Sequence, residues 1–206
     1  MESRKQYWNN KIRRIDASKA IYDGWLDKHV EAHELKQTIV ELGCGWGCDT
    51  QFLARTEHNI ISCDFSIEAI EIIRERYPNV MTMQFDMLDG LPFDDERVDI
   101  IVADLCLHYF DWKNTVLIFN ELLRVLIPGG KLLFRVNSSK DTNFGAGEGT
   151  VIEDNYYMSE RGQKRFFTEE NLIELLENWH VESLSELTIG KYGRPKVVFE
   201  AVAIKR

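Results

Sequence analysis

No apolar run in this chain approaches the roughly 20 residues of a membrane span, so the sequence offers no transmembrane segment. The start, Met1-Glu2-Ser3-Arg4-Lys5, is polar and charged, with no signal-peptide core behind it. Both absences predict a cytoplasmic protein with reduced thiols and no membrane partner. Basic residues are outnumbered: 25 Lys and Arg stand against 34 Asp and Glu, a net charge of −9. That balance argues against nucleic acid as a partner, because broad phosphate binding relies on clustered cations, and leaves only a local basic patch. There are 4 cysteines, and Cys44-x-x-x-Cys48 lacks a second ligand pair at zinc-finger spacing, so no metal site is expected. Internal repeats, low-complexity tracts and a clear domain boundary are also missing. With 206 residues and 44% apolar content, the chain reads as one domain, 1–206, with a sizeable core.

The most informative stretch is Val40-Glu41-Leu42-Gly43-Cys44-Gly45-Trp46-Gly47. It follows a short apolar strand and leads into a helical pattern. A second strand candidate ends in Asp64, about 20 residues on, the spacing at which an acidic strand tip accepts from ribose hydroxyls of an adenosine cofactor. The dinucleotide fingerprint needs a third glycine where this chain has Cys48, and the glycine falls one place earlier, at Gly47. No Gly-Lys-Ser/Thr follows, which excludes a P-loop.

Short β-branched runs alternate with helical patterns along the chain. Strands are expected over 38–42, 59–63, 80–84, 98–103 and 131–136, with two more over 180–188 and 196–204. Helices are expected over 48–56, 67–77 and 112–126, with Ser66 as N-cap of the second and Pro78 as its stop. Thr168 with Asn171 opens a late helix. The alternation implies a doubly wound α/β sheet with helices on both faces.

The glycine series Glu41-x-Gly43-x-Gly45-x-Gly47 resembles motif I of class I S-adenosylmethionine-dependent methyltransferases. The resemblance continues at Asp64-Phe65-Ser66, Gln84-Phe85-Asp86-Met87, the Phe93–Ala103 lead into the fourth strand, and Leu123–Leu132 with its Pro-Gly-Gly turn. It implies a Rossmann-like seven-stranded sheet, mostly parallel with an antiparallel last strand. It further implies S-adenosylmethionine as cofactor, S-adenosylhomocysteine as product, and a cofactor site at Glu41, Gly43, Cys44, Gly45, Asp64, Phe65, Asp86, Met87, Asp104 and Leu105. In such proteins Asp64 would hold the ribose diol, Phe65 would lie against the adenine, Asp86 would accept from its amino group, and backbone around Asp104 would hold the methionine amino group. The segment 1–36 is expected as a helical lid, with Tyr7-Trp8-Asn9 over the site. Residues 137–167, with four glycines, are expected as a substrate-side loop insertion.

Transfer from a sulfonium is an in-line displacement, so the chain mainly aligns the partners and excludes water; a base is needed only if the acceptor must first lose a proton. His108 is the candidate base, and Tyr7, Trp8, Tyr109, Tyr156 and Arg165, with Tyr157, are candidate acceptor contacts. Asp104-Leu105-Cys106-Leu107 lacks the Pro-Pro-aromatic run of enzymes that methylate nucleic-acid amino groups. The stretch from Asn137 to Thr168 is similar to small-molecule methyltransferases related to the tellurite-resistance type, which implies a small, soft acceptor. The alternatives are a protein or RNA acceptor, or a non-catalytic cofactor-binding module. Cys44, Cys63 and Cys106 fall at strand ends; they read as small buried hydrophobes, with a thiol role toward a soft metalloid as the alternative. His29 and His33, four apart, lack the Glu placement of a zinc motif and read as a solvated helix end.

Overall fold

The computed structural model describes residues 4–14, 21–30, 35–160, 162–190 and 193–206. Five helices and ten strands appear among them. In chain order they are α1 (Arg4–Arg14), β1 (Thr38–Leu42), α2 (Thr50–Leu53), β2 (Asn59–Asp64), α3 (Ile67–Arg76), β3 (Met81–Gln84), β4 (Val98–Asp104) and α4 (Trp112–Val125). There follow β5 (Leu126–Asn137), β6 (Thr150–Glu153), β7 (Tyr156–Ser159), β8 (Gly162–Arg165), α5 (Glu169–Leu175), β9 (Trp179–Ile189) and β10 (Lys196–Lys205).

Seven strands form one sheet in the order β3-β2-β1-β4-β5-β10-β9. The first five pair in parallel, and β10 runs antiparallel between β5 and β9. This is the expected Rossmann-like seven-stranded sheet. Its central strands are apolar on both sides, as a sheet covered twice must be. The period-2 pleat sends Val40, Leu42, Ile101, Ala103, Leu132 and Phe134 into the core shared with α4 and α5. Their neighbours Ile39, Ile100, Val102 and Leu133 face the core shared with α3.

Local chemistry sets the helix starts. The Asp111 side chain accepts the Asn114 N–H at 2.8 Å and caps α4, whose buried face is Thr115, Ile118, Phe119, Leu122 and Val125. Thr168 and Asn171 form a reciprocal capping box at α5. Ser66 stands at the N-cap of α3, but its hydroxyl donates to Asn9 Oδ1 at 2.5 Å, so it ties α1 to the sheet rim instead of closing α3.

Two segments depart from expectation. Within 1–36 the described helix is confined to 4–14; the stretches 15–20 and 31–34, with His33, lie outside the described residues. The region 137–167 is not one long loop: after a 3₁₀ turn at Thr142–Phe144 it folds into an antiparallel sheet in the order β6-β7-β8. Its strands are short and largely polar, with alternation too brief to stand out in the sequence. Asp95 and Glu96, in the acidic turn before β4, pair with Arg124 and Lys205.

Candidate active site

The carboxyl ends of β1, β2, β4 and β5 meet α1 and the three-stranded sheet around one cavity of about 770 Å³. This is the rim where open α/β sheets bind ligands. The turn after β1 forms its floor. Gly43 has φ +69°, and a Cβ there would stand 2.5 Å from Cys106 Cβ, so only glycine lets the β1 and β4 turns touch. Gly47, at φ +82°, lies against Ile73 of α3, where a Cβ would meet Cδ1 at 2.8 Å. This is the turn-to-helix packing that the misplaced third glycine still performs.

Carboxylates line the same cavity. Glu41 is buried and accepts from Thr50 N–H at 3.1 Å, Thr50 Oγ1 at 2.6 Å and Ser62 Oγ at 2.5 Å. Burial pushes its pKa up, and those donors pull it back. It is thus a strut beneath the loop, joining β1, β2 and α2. Asp64 accepts the Gly45 N–H at 3.1 Å and the Ser66 N–H at 2.9 Å. Burial pushes its carboxyl up to about 6, against the lowering effect of the Ser66, Gly45 and Phe65 backbone groups. Its acceptor capacity exceeds those bonds, so the carboxylate can still take hydroxyl donors from the cavity. Asp86 accepts the Leu88 N–H at 3.1 Å, turning Met87 along the wall. Asp104 accepts from Arg135 Nε at 2.8 Å, and Arg135 reaches Asp23 at 2.9 Å while its guanidinium lies 4.5 Å from the Trp25 ring centroid. Leu105 follows with φ +56°, a left-handed backbone that a non-glycine residue adopts at a cost of order 1–3 kcal/mol, held by its N–H to the Arg135 carbonyl at 2.9 Å.

Aromatic and basic side chains line the same cavity. Trp8 and Tyr109 meet edge to face with centroids 5.0 Å apart, Tyr7 lies 5.6 Å from Trp8, and Phe144 also lines the cavity. Lys11, Arg14, Lys164, Arg194 and Lys196 also line the cavity. Lys196 pairs with Asp141 at 2.8 Å. His108 lies here with 2% exposure, and its pKa is held well below the usual imidazole value by burial, then by the charges of Lys196, Lys164 and Lys11.

The structure therefore gathers Glu41, Gly43, Cys44, Gly45, Asp64, Phe65, Asp86, Met87, Asp104, Leu105, His108, Tyr109, Tyr7 and Trp8 on one cavity. Tyr156 and Arg165 are not in its lining. Arg165 is spent on structure: it donates to the Phe110 carbonyl at 3.2 Å and the Asp154 carbonyl at 3.2 Å, and pairs with Glu153. The Tyr156 hydroxyl bonds Gln163 Oε1 at 3.0 Å. The sequence does not mark the basic rim and Asn137 as site residues; they are gathered from α1, the end of β5, the small sheet and the start of β10. The Cys44, Cys63 and Cys106 thiols are buried and pushed up by burial, so they act as neutral hydrophobes; Cys106 Sγ donates to the Leu42 carbonyl at 3.2 Å. Among the described residues no cluster of His, Cys, Asp and Glu could hold a metal ion, and no helix is long and apolar enough to cross a membrane.

Residues 39–130 match the methyltransferase domain family. A tRNA N(3)-methylcytidine methyltransferase from Drosophila melanogaster is 33% identical over 149 residues, covering 66% of this chain and 46% of that protein. The chain thus spans about half the length of that curated relative. A solved S-adenosylmethionine-dependent methyltransferase from Methanosarcina mazei superposes with TM-score 0.75 at 18% identity, over 87% of this chain and 96% of that one. A Burkholderia thailandensis 1,6-didemethyltoxoflavin-N1-methyltransferase, solved with bound 1,6-didemethyltoxoflavin and S-adenosylhomocysteine, gives TM-score 0.64 at 17% identity over 98% and 79% of the two chains.

Proposed function

The chain carries a class I S-adenosylmethionine-dependent methyltransferase domain, and on that premise we propose that it moves the cofactor's methyl group to a small-molecule acceptor. The observation that carries this reading is one cavity lined both by the glycine turn with its carboxylates and by aromatic and basic side chains. The glycine turn and the carboxylates around it fit the cofactor. Asp64 would accept from the ribose hydroxyls, with Gly43 to Gly45 letting the ligand lie close to backbone. Phe65, Asp86 and Met87 would surround the adenine. Asp104, Leu105 and the Leu105 left-handed turn would receive the methionine end, with Arg135 and Asp23 fixing the Asp104 carboxylate. The cofactor, when bound, supplies an already activated methyl group. The chain's contribution is alignment and exclusion of water.

The aromatic and basic residues would take the acceptor. Tyr7 and Trp8 on α1, with Tyr109, would close over it as a lid. His108, held neutral by burial, would act less as a base than as a hydrogen-bonding wall. An RNA acceptor is the second reading. It is favoured by the tRNA methyltransferase activity of the Drosophila relative and by five cationic side chains at the cavity, which are local against a net charge of −9.

Calorimetric titration with S-adenosylhomocysteine, with NAD as the control, is expected to give saturable binding of the former alone. Transfer of labelled methyl to small-molecule panels or to unmodified tRNA then separates the two acceptors. Binding without transfer to any acceptor would favour a cofactor-sensing module; binding of neither ligand would sink the proposal.

A further inference from the structure

We propose that Asn137 and His108 together form the acceptor-reading edge of this cavity, and that the acceptor is a planar nitrogen heterocycle presenting a hydrogen-bond donor beside an acceptor. The inference rests on the methyltransferase reading above and names the substrate class it leaves open.

Both residues line the cavity, at the end of β5 and just beyond the end of β4, with 1% and 2% exposure. Asn137 Oδ1, Asn137 Nδ2 and His108 Nδ1 are buried with no hydrogen-bond partner among the described residues. With the exception of His29 Nε2, they are the only such side-chain atoms there. Buried polar side chains nearby are satisfied: Glu41 by Thr50 and Ser62, Arg135 by Asp104 and Asp23, Ser138 by Glu186. Unpaired buried groups are rare in folded proteins, and their concentration on one cavity wall points to a ligand.

The geometry of the wall is fixed by a single strap. Arg165 N–H donates to the His108 carbonyl at 2.8 Å, and Phe167 N–H donates to the Asn137 carbonyl at 2.8 Å. Two residues of extended chain span roughly 6–7 Å, so the strap holds the His108 and Asn137 backbones close together at the cavity that both residues line.

The chemistry narrows the acceptor. A carboxamide offers a donor and an acceptor side by side in one plane, the complement of the amide or amidine edge of a heterocycle. A carboxylate or phosphate, which only accepts, would strand Asn137 Oδ1. A thiol or reduced metalloid has too few polar atoms to satisfy the wall. The Trp8 and Tyr109 rings supply the apolar flank that a flat ring needs. An imidazole whose basicity is lowered by burial and by the nearby lysine charges is a poor proton acceptor, which suits a ring nitrogen with a free lone pair. That lone pair forms the new N–C bond as the S–C bond breaks, and the bonding pair stays on sulfur. Positive charge passes to the heterocycle, and no proton has to move.

The test adds cytidine, adenosine, guanosine and uridine separately, and a single-stranded RNA oligonucleotide holding all four bases, to the S-adenosylhomocysteine complex of the full chain. Calorimetry is expected to detect saturable binding of at least one nucleoside or of the oligonucleotide. Nucleoside binding marks a free heterocycle, and binding of the oligonucleotide alone marks one read within RNA. Asn137→Leu is expected to weaken this binding at least tenfold, keep S-adenosylhomocysteine affinity within twofold, and hold or raise the melting temperature, because an apolar isostere replaces unpaired polar atoms. Asn137→Asp, which keeps the acceptor and loses the donor, gives the same loss if the leucine variant does not fold. No heterocycle binding to an otherwise normal S-adenosylhomocysteine complex overturns this inference alone, as does unchanged binding in the Asn137 variants. Failure of the wild-type chain to bind S-adenosylhomocysteine overturns the underlying reading and this one with it.

Discussion

Gly43 and Cys106 touch across the floor of the cavity so closely that residue 43 has no room for a side chain: a Cβ there would stand 2.5 Å from Cys106 Cβ and 3.2 Å from its Sγ. The contact joins the turn after β1 to the turn after β4, the two that carry the glycine floor and Asp104-Leu105. Gly43→Ala is expected to destabilise the fold by about 2–4 kcal/mol, from overpacking together with a left-handed backbone. Adding Cys106→Gly should recover the overpacking part and leave the backbone part. Urea midpoints of the two single variants and the double variant check this; strictly additive effects would mean the contact carries no energy.

Asp64 sets a pH dependence whose sign is fixed by its environment. Burial raises its carboxyl to about 6 from an ordinary value of 3.8. Between those values the folded chain holds a proton that the unfolded chain releases, so apo stability falls as pH rises through the window. Hydroxyl donors need the ionised form. S-adenosylhomocysteine affinity should therefore rise with pH up to about 7 and weaken below about 6, toward tenfold per pH unit. Asp64→Asn should flatten the profile and weaken binding at neutral pH. His108→Phe should keep the acidic limb, since His108 already stays neutral. A limb that vanishes with His108 would reverse the assignment.

Glu41 accepts three hydrogen bonds in the core beneath the glycine turn. Glu41→Ala strands Thr50 and Ser62 donors without water, for a cost of about 3 kcal/mol or more. Glu41→Gln keeps an acceptor and should cost less than half as much. Thermal unfolding of both variants, with and without S-adenosylhomocysteine, separates the strut from a direct ligand contact. Loss of affinity in a Glu41→Gln variant of near-normal stability would make it a contact.

Arg165 clamps the small sheet to the chain beyond β4. Arg165→Met is expected to cost about 1–3 kcal/mol and to speed hydrogen exchange in residues 150–165 first. S-adenosylhomocysteine affinity should hold within twofold. A rise in acceptor KM with unchanged exchange would return Arg165 to the acceptor site.

Much of this was legible along the chain because the signals are local. Val40 to Gly47, Asp64 at a strand tip and the Pro128-Gly129-Gly130 turn each carry their meaning within a few residues, and alternation of strand and helix patterns orders the sheet. Thr168 with Asn171 announced α5 for the same reason. The three-stranded sheet did not announce itself, since β6, β7 and β8 are four residues each and mostly polar. Arg165 read as an acceptor contact because nothing nearby in sequence predicts that Phe110 and Glu153 would surround it.

The sequence by itself determined the sheet, the glycine turn and the acidic tip, because a strand's pleat, a glycine's backbone freedom and a cap's hydrogen bond act over a few residues. Tertiary structure alone decided which polar groups are spent and which are spare. Glu41 and Arg165 are consumed by partners from distant elements. Asn137 and His108 are brought to one wall by Arg165 and Phe167, and only burial in three dimensions makes an unpaired amide costly enough to mark a site.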